Sequence, residues 1–148
     1  MGGGSAEREI SLKTGKAIYA ALKRRGYQAS TIDVDVSLPW VLKRKKIDVA
    51  FLALHGPGGE DGTVQGMLDV LGIPYTGSGV RASAVGMDKS MTKVLVERGG
   101  VPVAVGMCLQ KGEKTGPPKK LKWPLVVKPV DQGSTVGVSI VYTPAQWK

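Results

Sequence analysis

The stretch 47-IDVAFLALHGPGGEDG-62 decides the fold, because a nearly apolar run ends abruptly in a loop of turn-forming residues. Residues 47–54 are apolar apart from Asp48, which is typical of a strand buried on both faces of a parallel sheet. The loop 55–62 follows at the carboxyl end of that strand, where open α/β sheets bind their ligands. His55, the only histidine of the chain, lies in this loop, and the sequence leaves open whether its role is structural or functional.

Strands and helices are predicted to alternate on both sides of this stretch. Residues 27–36 show the alternating apolar pattern of a strand, and residues 73–75 read as a short extended segment. Apolar periodicity and terminating glycines predict helices over residues 5–25, 38–46, 63–71 and 77–86. The alternation indicates an α/β domain with a parallel sheet, which we place at residues 1–86.

The character of the sequence changes after Met87. Asp88 is a good N-cap for a helix that ends near Arg98. Strands are then predicted over residues 103–109, 124–130 and 138–142, joined by loops rich in glycine and proline. We expect a second, mostly antiparallel α+β domain over residues 87–148. Thr143 and Pro144 start a further helix, and the sequence stops within it, so we expect a truncated domain.

Composition narrows the classes of function. The 148 residues carry a net charge of +9, which can favour a polyphosphate ligand, nucleic acid or an anionic membrane. Aromatic residues make up only 5%, so a stacking platform for single-stranded nucleic acid is not expected. No apolar run approaches the roughly 18 residues of a membrane span, and the single cysteine, Cys108, is predicted to lie in the core. We therefore expect a cytoplasmic protein without nucleic-acid or membrane partners.

Two further segments carry candidate chemistry. The glycine turn 2–5 runs into a helix N-terminus, where Glu7 either complements the helix dipole or binds a substrate ammonium. Lys128 lies in an apolar run, and burial of its charge would be costly unless an anion paired with it. The loop 131–137 that follows is built of small residues and can cover phosphates with amides and hydroxyls. Lys89, just after a helix cap, is either solvated or a phosphate contact.

Four strings of the sequence, in this order and spacing, resemble the successive motifs of D-alanine–D-alanine ligases. The resemblance implies a preATP-grasp domain with a Rossmann-like parallel sheet over residues 1–86, followed by the N-terminal lobe of an ATP-grasp domain. It also implies ATP and Mg²⁺ (or Mn²⁺) as cofactors, D-alanine as substrate, and a homodimer through the first domain. The strings are GGGSAEREISLKTG (2–15), ALHGPGGEDGTVQGMLDVLGIPYTGSG (53–79), ASAVGMDKSMTK (82–93) and WPLVVKPVDQGSTVGVSIV (123–141).

The reaction implied by this resemblance is the phosphorylation of one D-alanine carboxylate by ATP, followed by attack of a second D-alanine amine on the acyl phosphate. The product serves peptidoglycan precursor synthesis and cell-wall formation. By resemblance, Glu7 holds the ammonium of the first D-alanine and His55 lies near its carboxylate. Ser134 is implied to help orient Glu7 and the first substrate, which makes Glu7 and Ser134 the catalytic pair.

The ATP-binding residues also follow from the resemblance. Lys89 and Lys128 match the two lysines that contact the ATP phosphates. Gly133 and Thr135 lie in the loop that covers the phosphates, where threonine replaces the more usual serine and keeps the hydroxyl.

The sequence departs from the family mainly by absences. The family's first strand would precede Gly2, which would leave a sheet edge unfilled. The second ATP-grasp lobe, with the metal ligands, would follow Lys148, so we expect no metal site in this chain and no activity from it alone. A related D-alanyl depsipeptide or dipeptide ligase stays open, as does a non-catalytic fragment that dimerises.

Overall fold

The computed structural model describes residues 1–113 and 115–147. The chain divides into two compact units, Met1–Met87 (unit 1) and Asp88–Lys148 (unit 2). In sequence the domains were predicted as 1–86 and 87–148, and their assignment to preATP-grasp and ATP-grasp domains stays a prediction.

Unit 1 contains four helices, each within three residues of its predicted bounds. Lys23 and Arg24 lie in the last turn of the first helix, where basic side chains face the free carbonyls of the helix end. Pro39 lies in the first turn of the second helix, where its missing amide is not needed. The helices are α1 (Arg8–Arg24), α2 (Leu38–Arg44), α3 (Thr63–Val70) and α4 (Val80–Met87).

Extended segments of unit 1 pair in parallel, but only at isolated points. Ala50 bridges Tyr75 in parallel, with Ala50 N donating to Pro74 O at 2.8 Å and Thr76 N donating to Ala50 O at 3.1 Å. The predicted strands over 27–36 and 47–54 are therefore wrong as continuous strands. A β-ladder requires regularly repeated backbone hydrogen bonds to an adjacent strand. Most of these residues have no such bonding partner among those the structure describes.

The apolar core of unit 1 is small and lies under α2 and α3. Five apolar side chains form it, and Leu68 is the most deeply buried at 1% exposure. By contrast α1, although 17 residues long, buries only Ser11 and Gly15. The core residues are Leu38, Leu42, Leu54, Val64 and Leu68.

Unit 2 begins with α5 (Lys89–Arg98), which Asp88 caps by accepting a hydrogen bond from Met91 N at 2.8 Å. Two short antiparallel strands follow, β1 (Leu125–Val127) and β2 (Ser139–Val141). In their register Val126 lies opposite Ile140. The expected helix start at Thr143 is present as a single 3-10 turn, Pro144–Gln146.

Two predictions for unit 2 are wrong. Residues 103–109 form no strand, and Cys108 is exposed rather than in the core. Val105 and Met107 in the same segment are also exposed. The apolar pattern of this segment satisfies the rule for a strand, yet no neighbouring strand pairs with it among the described residues.

Candidate functional site

The glycine turn at the start of unit 1 meets the loop that follows Leu54. Ser5 Oγ donates to His55 O at 2.6 Å, and Glu7 N donates to Ser5 Oγ at 3.2 Å. The carboxylate of Glu7 lies over Gly56, since a Cβ at Gly56 would be 2.9 Å from Glu7 Oε2. Two residues predicted for the site, Glu7 and His55, are thus brought to the same place by their loops.

Glycine is required at position 56 for two reasons. Its φ of +73° lies in the left-handed region, and the space where a side chain would start is taken by Glu7 and Ser5. The turn therefore allows the His55 loop to approach α1 closely.

The imidazole of His55 is held between α1 and an acid of its own loop. Nε2 lies 3.2 Å from Thr14 Oγ1, and Nδ1 lies 3.8 Å from Glu60 Oε1. The other oxygen of Glu60 accepts from Gly56 N at 2.7 Å. The ring keeps 31% of its side chain exposed, so it is oriented by the protein and still open to a ligand.

Sequence reasoning missed Thr14, although the signal was present. Glu7, Ser11 and Thr14 are spaced i, i+4, i+7, which places the side chains of Ser11 and Thr14 on one face of α1, below Glu7 at its N-cap. Ser11 is fully buried; its hydroxyl accepts from Gly2 N at 2.8 Å and donates to Ala53 O at 2.6 Å. This polar stripe fastens α1 to the segment that leads into His55.

The loop after His55 is fixed by its own side chains. Asp61 accepts from Gly58 N at 2.7 Å and from Thr63 N at 3.0 Å. Burial alone would raise the pKa of Asp61, but these hydrogen bonds outweigh it and lower the pKa below its usual range. Gln65 Nε2 donates to Gly59 O at 2.8 Å, while its buried Oε1 has no hydrogen-bond partner among the residues that the structure describes. A cavity of about 50 Å³ lies between this loop and the glycine turn.

An ion pair braces the glycine turn from the other side. Arg8 binds Asp33 through its two terminal guanidinium nitrogens, Nη1 and Nη2, and also donates to Gly3 O at 3.0 Å. The hydrogen bond from Arg8 is the main cause that lowers the pKa of Asp33 to about 2.

In unit 2, Lys89 joins the start of α5 to the predicted phosphate loop. Its Nζ donates to Val130 O at 3.2 Å and to Gln132 O at 2.5 Å, and its backbone N also donates to Val130 O. An ammonium has three donors, and two of them are used within the described part of the chain, which leaves one for a ligand. The sequence had left open whether Lys89 is solvated; the structure shows it partly buried against this loop.

The premise that Lys128 is desolvated within a strand is wrong. Lys128 follows the last residue of β1 and is exposed, so its ammonium needs no buried anion and stays open to solvent. Thr135 and Ser134 are exposed as well, and Ser134 has a φ of +51°. Turns closed by Val136 N to Gly133 O and Val138 N to Thr135 O fold this loop back on itself.

The predicted site residues thus fall in two groups. Glu7 and His55 belong to unit 1, and the other five belong to unit 2: Lys89, Lys128, Gly133, Ser134 and Thr135. Within residues 1–113 and 115–147, no group of three or more His, Cys, Asp or Glu side chains could hold a metal ion. In the same part of the chain, no helix has the length and apolar character needed to cross a bilayer.

Comparison with known proteins identifies the relatives of this chain. The family model described as D-ala D-ala ligase N-terminus matches residues 42–78. A D-alanine–D-alanine ligase of Geobacter sulfurreducens is 52% identical over 99% of this chain and 46% of its own length. The chain therefore spans about half the length of the curated relatives it matches.

Solved structures give the same result. The D-alanine–D-alanine ligase from Bacillus anthracis matches with a TM-score of 0.85 and 42% identity, over 99% of this chain and 49% of that protein. Its structure in complex with ATP matches with a TM-score of 0.82 and 41% identity, over 97% and 48%. The α/β architecture agrees with these neighbours, and the chain is similar over nearly its whole length to the N-terminal part of D-alanine–D-alanine ligases.

Proposed function

We propose that this chain is the N-terminal part of an ATP-dependent ligase that joins two D-alanine molecules to D-alanyl-D-alanine, for peptidoglycan precursors and cell-wall formation. One observation carries the proposal: the Glu7 carboxylate lies over Gly56, next to His55, at the end of the glycine turn. An acid and an imidazole are thus held together in a chain whose relatives bear the ligase name.

In this proposal unit 1 binds the first D-alanine as a zwitterion. The Glu7 carboxylate takes the substrate ammonium in a charge-assisted hydrogen bond. The imidazole of His55, oriented by Thr14, lies at the substrate carboxylate and donates to it. Ser134 keeps the role implied by resemblance, a hydroxyl that helps to orient the substrate.

Unit 2 is proposed to bind the phosphates of ATP. Lys89 has one free donor after its bonds to the two carbonyls, and Lys128 offers an exposed ammonium. Gly133 and Thr135 lie in a loop of small residues that presents amides and hydroxyls to a polyanion. These groups would stabilise charge on phosphate oxygens by position rather than by covalent chemistry.

The proposed reaction has two balanced steps. A carboxylate oxygen of the first D-alanine attacks the γ-phosphorus, and the bond to ADP breaks, which gives an acyl phosphate. The amine of the second D-alanine then attacks the acyl carbon; phosphate leaves and the amine loses a proton. The part of the chain that the structure describes holds no donor cluster suited to Mg²⁺, so no step is assigned to the metal here.

Binding of D-alanine tests the role of Glu7. Glu7→Gln removes the charge and keeps the shape, and Glu9→Gln is a matched control because Glu9 is exposed in the first turn of the same helix. Loss of a charge-assisted bond corresponds to about 10–100-fold weaker binding. Equal affinities of the two variants in calorimetry would refute the assignment of Glu7.

ATP binding tests unit 2 in the same way. Lys128→Ala should weaken ATP binding about 10-fold or more, whereas Lys122→Ala, also exposed in unit 2, should not. Equal losses of ATP affinity in the two variants would indicate only a general effect of positive charge. The same conclusion would follow if the ATP affinities of both variants depended on salt concentration in the same way.

We further propose that the 148 residues alone do not turn over, and that they form a homodimer through unit 1 in the cytoplasm, where ATP is available. ADP release is measured with ATP, magnesium and D-alanine, with L-alanine as control. Turnover that depends on D-alanine would contradict the inactivity and support the ligase assignment. The molecular mass measured by sedimentation tests the dimer separately, and the mass of a single chain would contradict it.

A further inference from the structure

We propose that Thr14 and Glu60 hold the imidazole of His55 as the tautomer that carries its proton on Nδ1. This Nδ1–H is then the donor for the carboxylate of the first D-alanine, and Thr14 is a positioning residue that acts on the ligand through His55. The tautomer follows from contacts within unit 1, whereas the identity of the ligand rests on the proposed function.

The two ring nitrogens of His55 face different chemical groups. Nε2 lies 3.2 Å from the hydroxyl oxygen of Thr14, which is within hydrogen-bond range. Nδ1 lies 3.8 Å from Glu60 Oε1, which is beyond that range. A neutral imidazole carries one proton, so one of these nitrogens is a donor and the other is an acceptor. The groups that surround the ring decide which nitrogen holds the proton.

Glu60 favours the proton on Nδ1. An ionised carboxylate only accepts hydrogen bonds, and across a few ångströms it attracts an N–H and repels a bare nitrogen lone pair. Its position is fixed because its other oxygen accepts from Gly56 N at 2.7 Å. The Nε2–H tautomer would place the bare lone pair of Nδ1 next to this negative charge, so it is the less stable of the two.

The hydroxyl of Thr14 completes the arrangement because a hydroxyl can both donate and accept. With the proton on Nδ1, the other ring nitrogen of His55 is an acceptor, and Thr14 Oγ1 donates to it. Thr14 is half-buried and belongs to the 17-residue helix α1, so the donor comes from a regular element rather than from a loop. The orientation of the imidazole is thereby tied to the same helix that Glu7 precedes.

The Nδ1–H of His55 remains available to a ligand. Its distance from Glu60 is too long for a hydrogen bond, and 31% of the His55 side chain is exposed. Both nearby carboxylates contact Gly56, since Glu60 binds its backbone N and Glu7 Oε2 lies 2.9 Å from the place of a Cβ. The free donor thus lies on the side of the ring where Glu7 can accept from an ammonium. A molecule with an ammonium and a carboxylate on one carbon, an α-amino acid, matches this pair of groups.

Nuclear magnetic resonance of the 148-residue chain tests the tautomer directly. His55 is the only histidine, so one isotope-labelled imidazole reports its two nitrogens without overlap. At a pH where the ring signals no longer change, Nδ1 should show the chemical shift of a protonated nitrogen and Nε2 that of an unprotonated one.

Two variants of Thr14 separate its hydroxyl from its shape. Thr14→Val removes the hydroxyl and keeps the branched side chain, so the ratio of the Nδ1–H to the Nε2–H tautomer should fall about 2–10-fold, as expected for one neutral hydrogen bond. Thr14→Ser keeps the hydroxyl and should restore the ratio. A purely structural role would lower the melting temperature of Thr14→Val and leave the ring nitrogens unchanged.

Titration with D-alanine tests the ligand. D-alanine should shift the Nδ1 signal of the parent chain and bind about 2–10-fold more weakly to Thr14→Val than to Thr14→Ser. Equal affinities of the two variants would remove Thr14 as a positioning residue.

The remaining outcomes distinguish this proposal from the proposed function. A parent chain with its proton on Nε2, or identical ring signals in the parent and in Thr14→Val, would overturn the tautomer and leave the ligase proposal untouched. A parent chain that does not bind D-alanine would overturn the assignment of the ligand and count against the proposed function, while the ring signals alone still decide the tautomer.

Discussion

Alanine substitution at Gly56 and Gly58 separates backbone strain from the contact that places Glu7. The two glycines lie in the same loop with φ of +73° and +84°. A Cβ at Gly56 would be 2.9 Å from Glu7 Oε2 and 3.2 Å from Ser5 Cβ, whereas a Cβ at Gly58 meets nothing within 4 Å. Alanine at either position would therefore adopt a strained positive φ, but only alanine at Gly56 would also collide with Glu7 and Ser5.

The expected costs follow from these contacts. A left-handed conformation costs a non-glycine residue about 1 kcal/mol, so Gly58→Ala should lower the free energy of unfolding by about that amount. Gly56→Ala adds the displacement of Glu7 and Ser5. Overpacking typically costs about 1–3 kcal/mol, and the flexible end of Glu7 yields easily, so a total of about 2 kcal/mol is expected.

Urea unfolding followed by circular dichroism measures both variants, and a double-mutant cycle identifies the cause. In a Glu7→Ala background, most of the difference between Gly56→Ala and Gly58→Ala should disappear, because the displaced carboxylate is gone. Equal costs in the parent background, or a difference that persists fully without Glu7, would refute the placement of the carboxylate over Gly56.

Three further predictions concern the support of the site. Asp33 has a pKa of about 2 beside Arg8, so its contribution to stability is present above about pH 4 and lost as the pH falls through 2. In Asp33→Asn the free energy of unfolding should therefore depend less on pH over that range, and an unchanged pH profile would contradict this. Ser11→Ala leaves two buried backbone groups unpaired and should cost about 2–3 kcal/mol in urea; a cost below about 0.5 kcal/mol would indicate that water replaces the hydroxyl. Leu68→Ala, at a position 1% exposed, should cost about 3–5 kcal/mol and lower the melting temperature most, and a smaller effect than Ser11→Ala would argue against the small core as the main support of unit 1.

The helices were accessible from sequence because each depends on local signals, whereas a shared site of Glu7 and His55 was expected only from the family resemblance. Caps, terminating glycines and apolar periodicity lie within a few residues of the helix ends they define. The loop after residue 54 was identified because an apolar run followed by turn formers is itself a local pattern. The residues just after such an apolar run are expected to face a ligand, because open α/β sheets bind ligands at the carboxyl ends of their strands.

The strands were less accessible because a strand exists only if a neighbour pairs with it. Residues 27–36 and 103–109 have the composition of strands, and the structure gives them no ladder. Burial of Lys128 was inferred from its apolar neighbours in sequence, but β1 ends one residue earlier and leaves the ammonium exposed. In each case the missing information is the partner across the sheet, which no local window contains.

The polar stripe of α1 explains how an ordered site is built on so small a core. Ser11 and Thr14 bind α1 to the segment 53–55 by directional hydrogen bonds, and these fix Glu7 without a large apolar interface. All of these contacts lie in the first half of the helix, whereas Ile18 and Leu22 of the second half are only partly buried. The position of Glu7 therefore depends on these hydrogen bonds more than on apolar packing of the helix.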